Sequence, residues 1–148
     1  MIRTNIYLIL VLLYTGLLEA RNFKNVDCTS QYIANIAKSM LGKRYKWGGD
    51  GPYGYDCSGF TKEVFEEGGI ELPRLSKEQA KVGRKVYKNQ LRKGDLLFFT
   101  SKNHNTINHV GIYLGNGKFI HASRFHHRIV ISPFKEYKKY FKWGRRVT

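Results

Sequence analysis

Midway along the chain the apolar pattern changes period, and this limits the fold more than any other feature. In the first half, apolar residues recur at helical spacing: Ile33, Ala34, Ile36, Ala37, Met40 and Leu41, then Phe60, Val64 and Phe65. Ser30 reads as the N-cap of the first helix and Gly42 as its stop. Cys57 to Glu67 reads as the second, ended by Gly68-Gly69. The glycine-rich stretch Tyr45 to Tyr55 must be a loop, and a short helix is expected from Ser76. From Leu96 onward the segments shorten to Leu96–Phe99, His109–Leu114, Lys118–Ala122 and Arg128–Ile131, with turn residues between them. These predict an antiparallel meander. Helices first and strands second predict an α+β domain, with N-terminal helices packed on one face of a central antiparallel sheet. The basic, aromatic tail Lys135 to Arg146 reads as a short amphipathic helix with solvated lysines.

A chain of 148 residues is expected to form one domain. Its 42% hydrophobic and 14% aromatic content excludes global disorder. Two cysteines cannot support a disulfide-rich scaffold, and no C-x-x-C pair offers a structural zinc site. The formal net charge of +15 calls for an anionic partner: nucleic acid, a membrane surface or a cell-wall polymer.

Residues 1–20 narrow that choice. Arg3, the apolar run Ile6 to Leu13 and the small residue Ala20 have the order of a secretory signal peptide. The run is too short for a membrane span of about 20 residues, so no stable span is expected. Residues 21–29 then form a short lead-in, and 30–148 the functional domain. Export counts against nucleic acid as the partner. It also implies an oxidising compartment, where a retained thiol needs a reason.

Cys57 supplies one. It stands at the end of a glycine-rich loop and the start of a helix, in Tyr55-Asp56-Cys57-Ser58-Gly59-Phe60. A helix N-terminus favours the thiolate, and its free amides can hold an oxyanion. Gly59 is expected to leave space for close substrate approach. A nucleophilic thiol needs a base, and His109 and His121 open and occupy consecutive strands. If Gly115-Asn116-Gly117 is a three-residue loop, Gly111 faces His121 and both histidines share one face. A two-residue loop would separate them. The three-residue turn is expected, with Gly111 leaving room for an imidazole. His109 is then the general base, and His121 fixes its tautomer. A Cys/His/His metal site is the weaker reading of the same residues, so no metal or cofactor is expected. His104, His126 and His127 lie in polar loops and are expected to be bystanders, as is Cys28, a free thiol.

These residues fall in an ordered set: Tyr45-Lys46-Trp47-Gly48-Gly49, Asp56 to Phe60, Leu72-Pro73-Arg74 with Ser76 and Gln79, Lys93 to Phe99, His109 to Tyr113, and Phe119 to Ser123. The set resembles the NlpC family of cell-wall cysteine peptidases, over about Ile33 to Arg146. The resemblance implies a papain-like NlpC fold and a Cys-His-His triad at Cys57, His109 and His121. It implies hydrolysis of peptidoglycan stem peptides, commonly between γ-D-glutamyl and the diamino acid. It further implies that Tyr45 shapes the oxyanion or substrate site, and that Asp56 and Ser58 receive the substrate's free amino end.

The expected protein is therefore a monomeric exported hydrolase, periplasmic or at the wall. Its charge would hold it on an anionic wall polymer. The alternatives are an amidase or acyltransferase on the same scaffold, and a non-catalytic basic protein that binds wall or lipid.

Overall fold

A computed structural model describes residues 6–102 and 105–148, with 22–27 described by backbone alone. His104 lies outside the described residues. Helix α1 spans Ile6–Ser39, α2 Cys57–Glu67 and α3 Ser76–Gln79. Strands follow: β1 Arg84–Val86, β2 Leu96–Phe99, β3 His109–Gly115, β4 Lys118–Ser123 and β5 Arg128–Pro133. Helix α4, Phe134–Tyr137, leads into β6, Phe141–Arg146. The six strands make one antiparallel sheet in the order β1-β6-β2-β3-β4-β5.

The main core lies between the helices and one sheet face. Ile33, Ala34, Ile36, Ala37 and Met40 of α1 meet Phe60, Val64 and Phe65 of α2 there. Leu96, Phe98, Val110, Ile112, Ile120 and Ala122 cover the sheet side. All are buried, and each large side chain contributes about 1.5–3 kcal/mol by leaving water. The other face is not bare. Leu97, Phe99 and Phe119 form a second, smaller core with Phe134 of α4. Strand β2 is therefore apolar at every position, which its sequence Leu-Leu-Phe-Phe already requires.

Two expectations are corrected at the ends of the chain. Ser30 is not an N-cap. Helix α1 runs through it, and Ser30 is buried mid-helix with its hydroxyl 3.4 Å from that of Thr148. No proline interrupts residues 6–29, so nothing stops the helix from continuing backwards. Its N-terminal apolar residues pack on no core: Ile6, Tyr7, Leu10, Leu13 and Leu17 are all more than half exposed. No helix among the described residues is long and apolar enough to cross a membrane. The second correction is the basic tail, which holds only the four-residue α4 before becoming β6. β6 inserts between β1 and β2, partners that lie far away in sequence. Arg146 at its end forms a two-pronged ion pair with Asp95, whose carboxylate is fully buried.

The β3–β4 turn reaches the expected register by a different route. Its turn residues are Asn116 and Gly117, both at positive φ, as a two-residue type I′ turn needs. Gly115 pairs with Lys118, while Tyr113 pairs with Phe119, so Leu114 is an extra residue in β3. The bulge cancels the one-residue slip that a two-residue turn would impose. Ile112 still faces Ile120, and the next pair along is Gly111 with His121. A side chain at Gly111 would press on the Phe119 ring, the Ile120 carbonyl and the Cβ of His121, so the glycine makes room for the neighbouring strand and the Phe119 ring.

Candidate active site

Asp56 sets the start of α2. Its backbone is extended, and its Oδ1 accepts the Gly59 amide at 2.7 Å, capping the helix one residue before the thiol. Gly59 itself packs against the glycine-rich loop: a side chain there would run into the Gly49 carbonyl and the Asp50 Cα. Its small size therefore serves helix–loop packing and not substrate approach.

The loop, the helix start and the strand ends enclose a cleft of about 830 Å³. Tyr45, Asp56, Cys57, Ser58 and His109 all line it, so five of the six expected site residues share one cavity. His121 lies behind, 1% exposed. Its Nδ1 is 2.8 Å from His109 Nε2, and the two rings meet edge-on at 5.0 Å. Both histidines stand on the second face of the sheet. Phe119 stacks on His121 at 4.5 Å, and Tyr137 closes edge-on at 5.3 Å.

Two residues given no role in the sequence reading complete the arrangement. Ser132 on β5 places its Oγ 2.9 Å from His121 Nε2. If His109 Nδ1 is to accept a proton, its Nε2–H must donate to His121 Nδ1. His121 Nε2–H then donates to Ser132 Oγ, and every ring nitrogen has one consistent role. Arg74 is the second. Its guanidinium donates to both oxygens of Asp56, at 3.0 and 2.9 Å, to Ser58 Oγ at 3.0 Å and to the Gly49 carbonyl at 3.3 Å. Buried Gln79 ties this segment to α2, donating to the carbonyls of Ser58 and Pro73 and accepting from Thr61. The Pro-Arg pair is visible in the sequence. Its partner Asp56 is brought to it only by the turn between α2 and α3.

Electrostatics revise one expectation. Burial, helped by the Asp56 charge, pushes the Cys57 thiol up to about 11. Hydrogen bonds from the backbone N–H groups of Val110, Ser58 and Cys57 itself oppose this without overcoming it. The lowering effect of the amides at the helix start is thus smaller than the raising effect of burial. Burial lowers His109 to about 4. Burial, then the neighbouring His109 and His126, lower His121 to about 2. The Tyr45 hydroxyl is raised by burial and by the Cys57 and Asp56 charges, against a lowering effect from Arg124. Arg124 lies over the exposed ring of Trp47 at the cleft, 5.4 Å from its centre.

The remaining candidates stand apart from the cleft. His126 and His127 are exposed, with His126 Nδ1 on Ser123 Oγ at 2.9 Å. Cys28 is exposed, and both cysteines are free thiols. Among the described residues, no group of three or more His, Cys, Asp or Glu side chains could hold a metal ion.

Residues 42–146 match the model of the NlpC/P60 family. The chain is 44% identical over 117 residues to the "Probable endopeptidase NlpC homolog" of Haemophilus influenzae, covering 78% of this chain and 58% of the relative. It is 42% identical over 126 residues to "Murein DD-endopeptidase MepS/Murein LD-carboxypeptidase" of Escherichia coli K12, covering 84% and 65%. Identity to the "Gamma-D-glutamyl-L-lysine dipeptidyl-peptidase" of Bacillus cereus is 39% over 102 residues, covering 68% and 31%. The chain thus spans less than two thirds of the length of these relatives. The crystal structure of an NlpC/P60 family protein from Bacillus cereus superposes with a TM-score of 0.75 at 36% identity, covering 79% of this chain and 39% of the other. With the α+β architecture and the cleft residues in their expected order, the chain belongs to the NlpC/P60 family.

Proposed function

We propose that the chain is an exported cysteine peptidase that hydrolyses peptidoglycan stem peptides through a thioester on Cys57. The observation that carries this reading is the line from the cleft into the sheet: Cys57 and His109 on one cleft, His109 on His121, and His121 on Ser132. The Cys57 sulfur accepts the backbone N–H of Val110, the residue after His109, and Cys57 and His109 line the same cleft.

The reaction follows from these positions. Cys57 Sγ attacks the amide carbonyl while its proton passes to His109 Nδ1. Backbone amides at the start of α2, with Tyr45 beside them, stabilise the oxyanion. His109 then gives the proton to the leaving nitrogen as the C–N bond breaks, leaving a thioester. Water, deprotonated by His109, releases the acid and restores the thiol. His121 and Ser132 hold His109 in the tautomer that keeps Nδ1 free. Asp56 and Ser58, with the cationic Arg74 across them, form the polar end of the cleft for the acyl half of the substrate.

The bond proposed is that between γ-D-glutamyl and the diamino acid. The name of the B. cereus relative supports it, whereas the E. coli name points to a D,D bond. Export rests on residues 1–20, whose described apolar side chains stay exposed outside the core. The basic charge supports attraction to an anionic wall polymer. Lys88, Lys118, Lys135 and Lys138 meet at one depression, where the nearby Lys138 ammonium lowers Lys88. Digestion of muropeptides of defined composition, read by mass spectrometry, tests the reading. Products ending in γ-D-glutamate are expected, and they should form equally with a chelator present. Cleavage only at a D,D cross-link would refute the proposed bond, and chelator inhibition would refute the metal-free mechanism.

A further inference from the structure

A second cavity of about 380 Å³ adjoins the cleft beyond His109. Phe99, Tyr137 and Tyr140 wall it, and Lys102 stands at its edge. Ser101, Asn108 and His109 line both spaces and stand between them. The walls pack on one another. The Phe99 ring lies 5.9 Å from both His109 and Tyr137, and the Thr100 amide donates to the Tyr140 carbonyl at 3.0 Å. No acidic side chain is among its described lining residues.

The chemistry of acyl transfer divides the substrate at His109. The acyl half stays on Cys57 Sγ when the C–N bond breaks. The amine half departs with the proton that His109 took from the thiol. A group that delivers this proton must lie within about 3 Å of the leaving nitrogen. The nitrogen's substituents therefore extend past the imidazole, away from Cys57. Asp56, Ser58 and Arg74 lie in the main cleft only, and the space beyond His109 is the second cavity.

We propose that this second cavity is the leaving-group subsite, and that it binds an amino-acid fragment with an aliphatic stem and a free carboxylate. The stem lies against Phe99, Tyr137 and Tyr140, and the carboxylate pairs with Lys102. The proposal rests on the peptidase reading above and adds to it the side of the substrate that Arg74 and Asp56 do not contact.

The test uses two synthetic amides with one acyl half, γ-D-glutamyl, and two leaving halves: a diamino acid with its α-carboxylate free, and the same residue as its carboxamide. Lys102 is exposed, so Lys102→Ala should fold normally. With the free carboxylate, kcat/KM is expected to fall by about tenfold in Lys102→Ala, mainly through KM, as for loss of one charged hydrogen bond. With the carboxamide the fall should be under about twofold, since no ionic partner is removed. Equal losses on both amides would overturn the subsite while leaving the peptidase reading intact. Failure of the unmutated protein to cleave either amide would overturn both.

Discussion

Cys57 is predicted to rest as a thiol, and pH-dependent alkylation measures this directly. With the thiol near 11 and the His109 imidazole near 4, proton transfer across the pair spans about seven pK units, or about 9 kcal/mol. Attraction between two unit charges at contact, about 4 kcal/mol at roughly 4 Å and an effective dielectric constant of 20, offsets only part of this. The neutral pair therefore wins by about 5 kcal/mol, and at pH 7 only about one thiol in 10⁴ is ionised. Iodoacetamide labelling followed by mass spectrometry reads the consequence residue by residue. The Cys57 rate should rise close to tenfold per pH unit from about pH 6 to 10, because only the thiolate reacts. At pH 7 it should trail that of exposed Cys28, an internal reference in the same molecule. Asp56→Asn should move the Cys57 curve to lower pH, because the Asp56 charge is the second cause holding the thiol up. A flat Cys57 rate from pH 5 to 8, faster than Cys28, would mean a resting thiolate–imidazolium pair and would refute the reasoning.

Further outcomes follow from the same contacts. Ser132→Ala leaves the buried His121 Nε2 without its partner and should cost about 1–3 kcal/mol in urea unfolding. It should also lower kcat more than it raises KM, with Ser132→Thr restoring part of the rate. Asp95→Asn removes the charge of the fully buried Asp95 from its ion pair with partly exposed Arg146 and should cost about 3–5 kcal/mol, seen as a lower melting temperature with the cleft chemistry otherwise intact. Acid should destabilise the fold through His109 and His121, both held below the ordinary histidine value by desolvation. His109 has its folded value near 4, below the ordinary 6.5, so the unfolded chain binds the extra proton. Its contribution is complete above pH 6.5 and falls by about 3 kcal/mol on going to pH 4. Urea titrations at the two pH values should show a smaller loss for His109→Asn, and an identical loss would contradict the assignment.

Residues whose signals are local were legible in the sequence. Cys57 opens α2 because Asp56 caps it and glycine ends it at Gly68, all within one short stretch. The four strands β2 to β5 follow from short apolar or alternating segments and the turn residues between them. The face shared by His109 and His121 was also legible, although the turn that achieves it was misassigned. A bulge at Leu114 and a two-residue turn give the same register as a plain three-residue loop, and periodicity cannot separate them. What stayed hidden depends on distant partners. β6 looks like a basic tail until β1 and β2 flank it. Arg74 and Ser132 acquire their roles only when Asp56 and His121 are folded against them. The thiol's upward shift was hidden for the same reason, since burial is a property of the assembled core and outweighs the local effect of the helix start.

Muropeptide digestion by the unmutated protein and by Cys57→Ala tests the central claim most directly. The account predicts new cleavage products with the first and none with the second, with both proteins showing the same melting temperature. Undiminished cleavage by Cys57→Ala would contradict it.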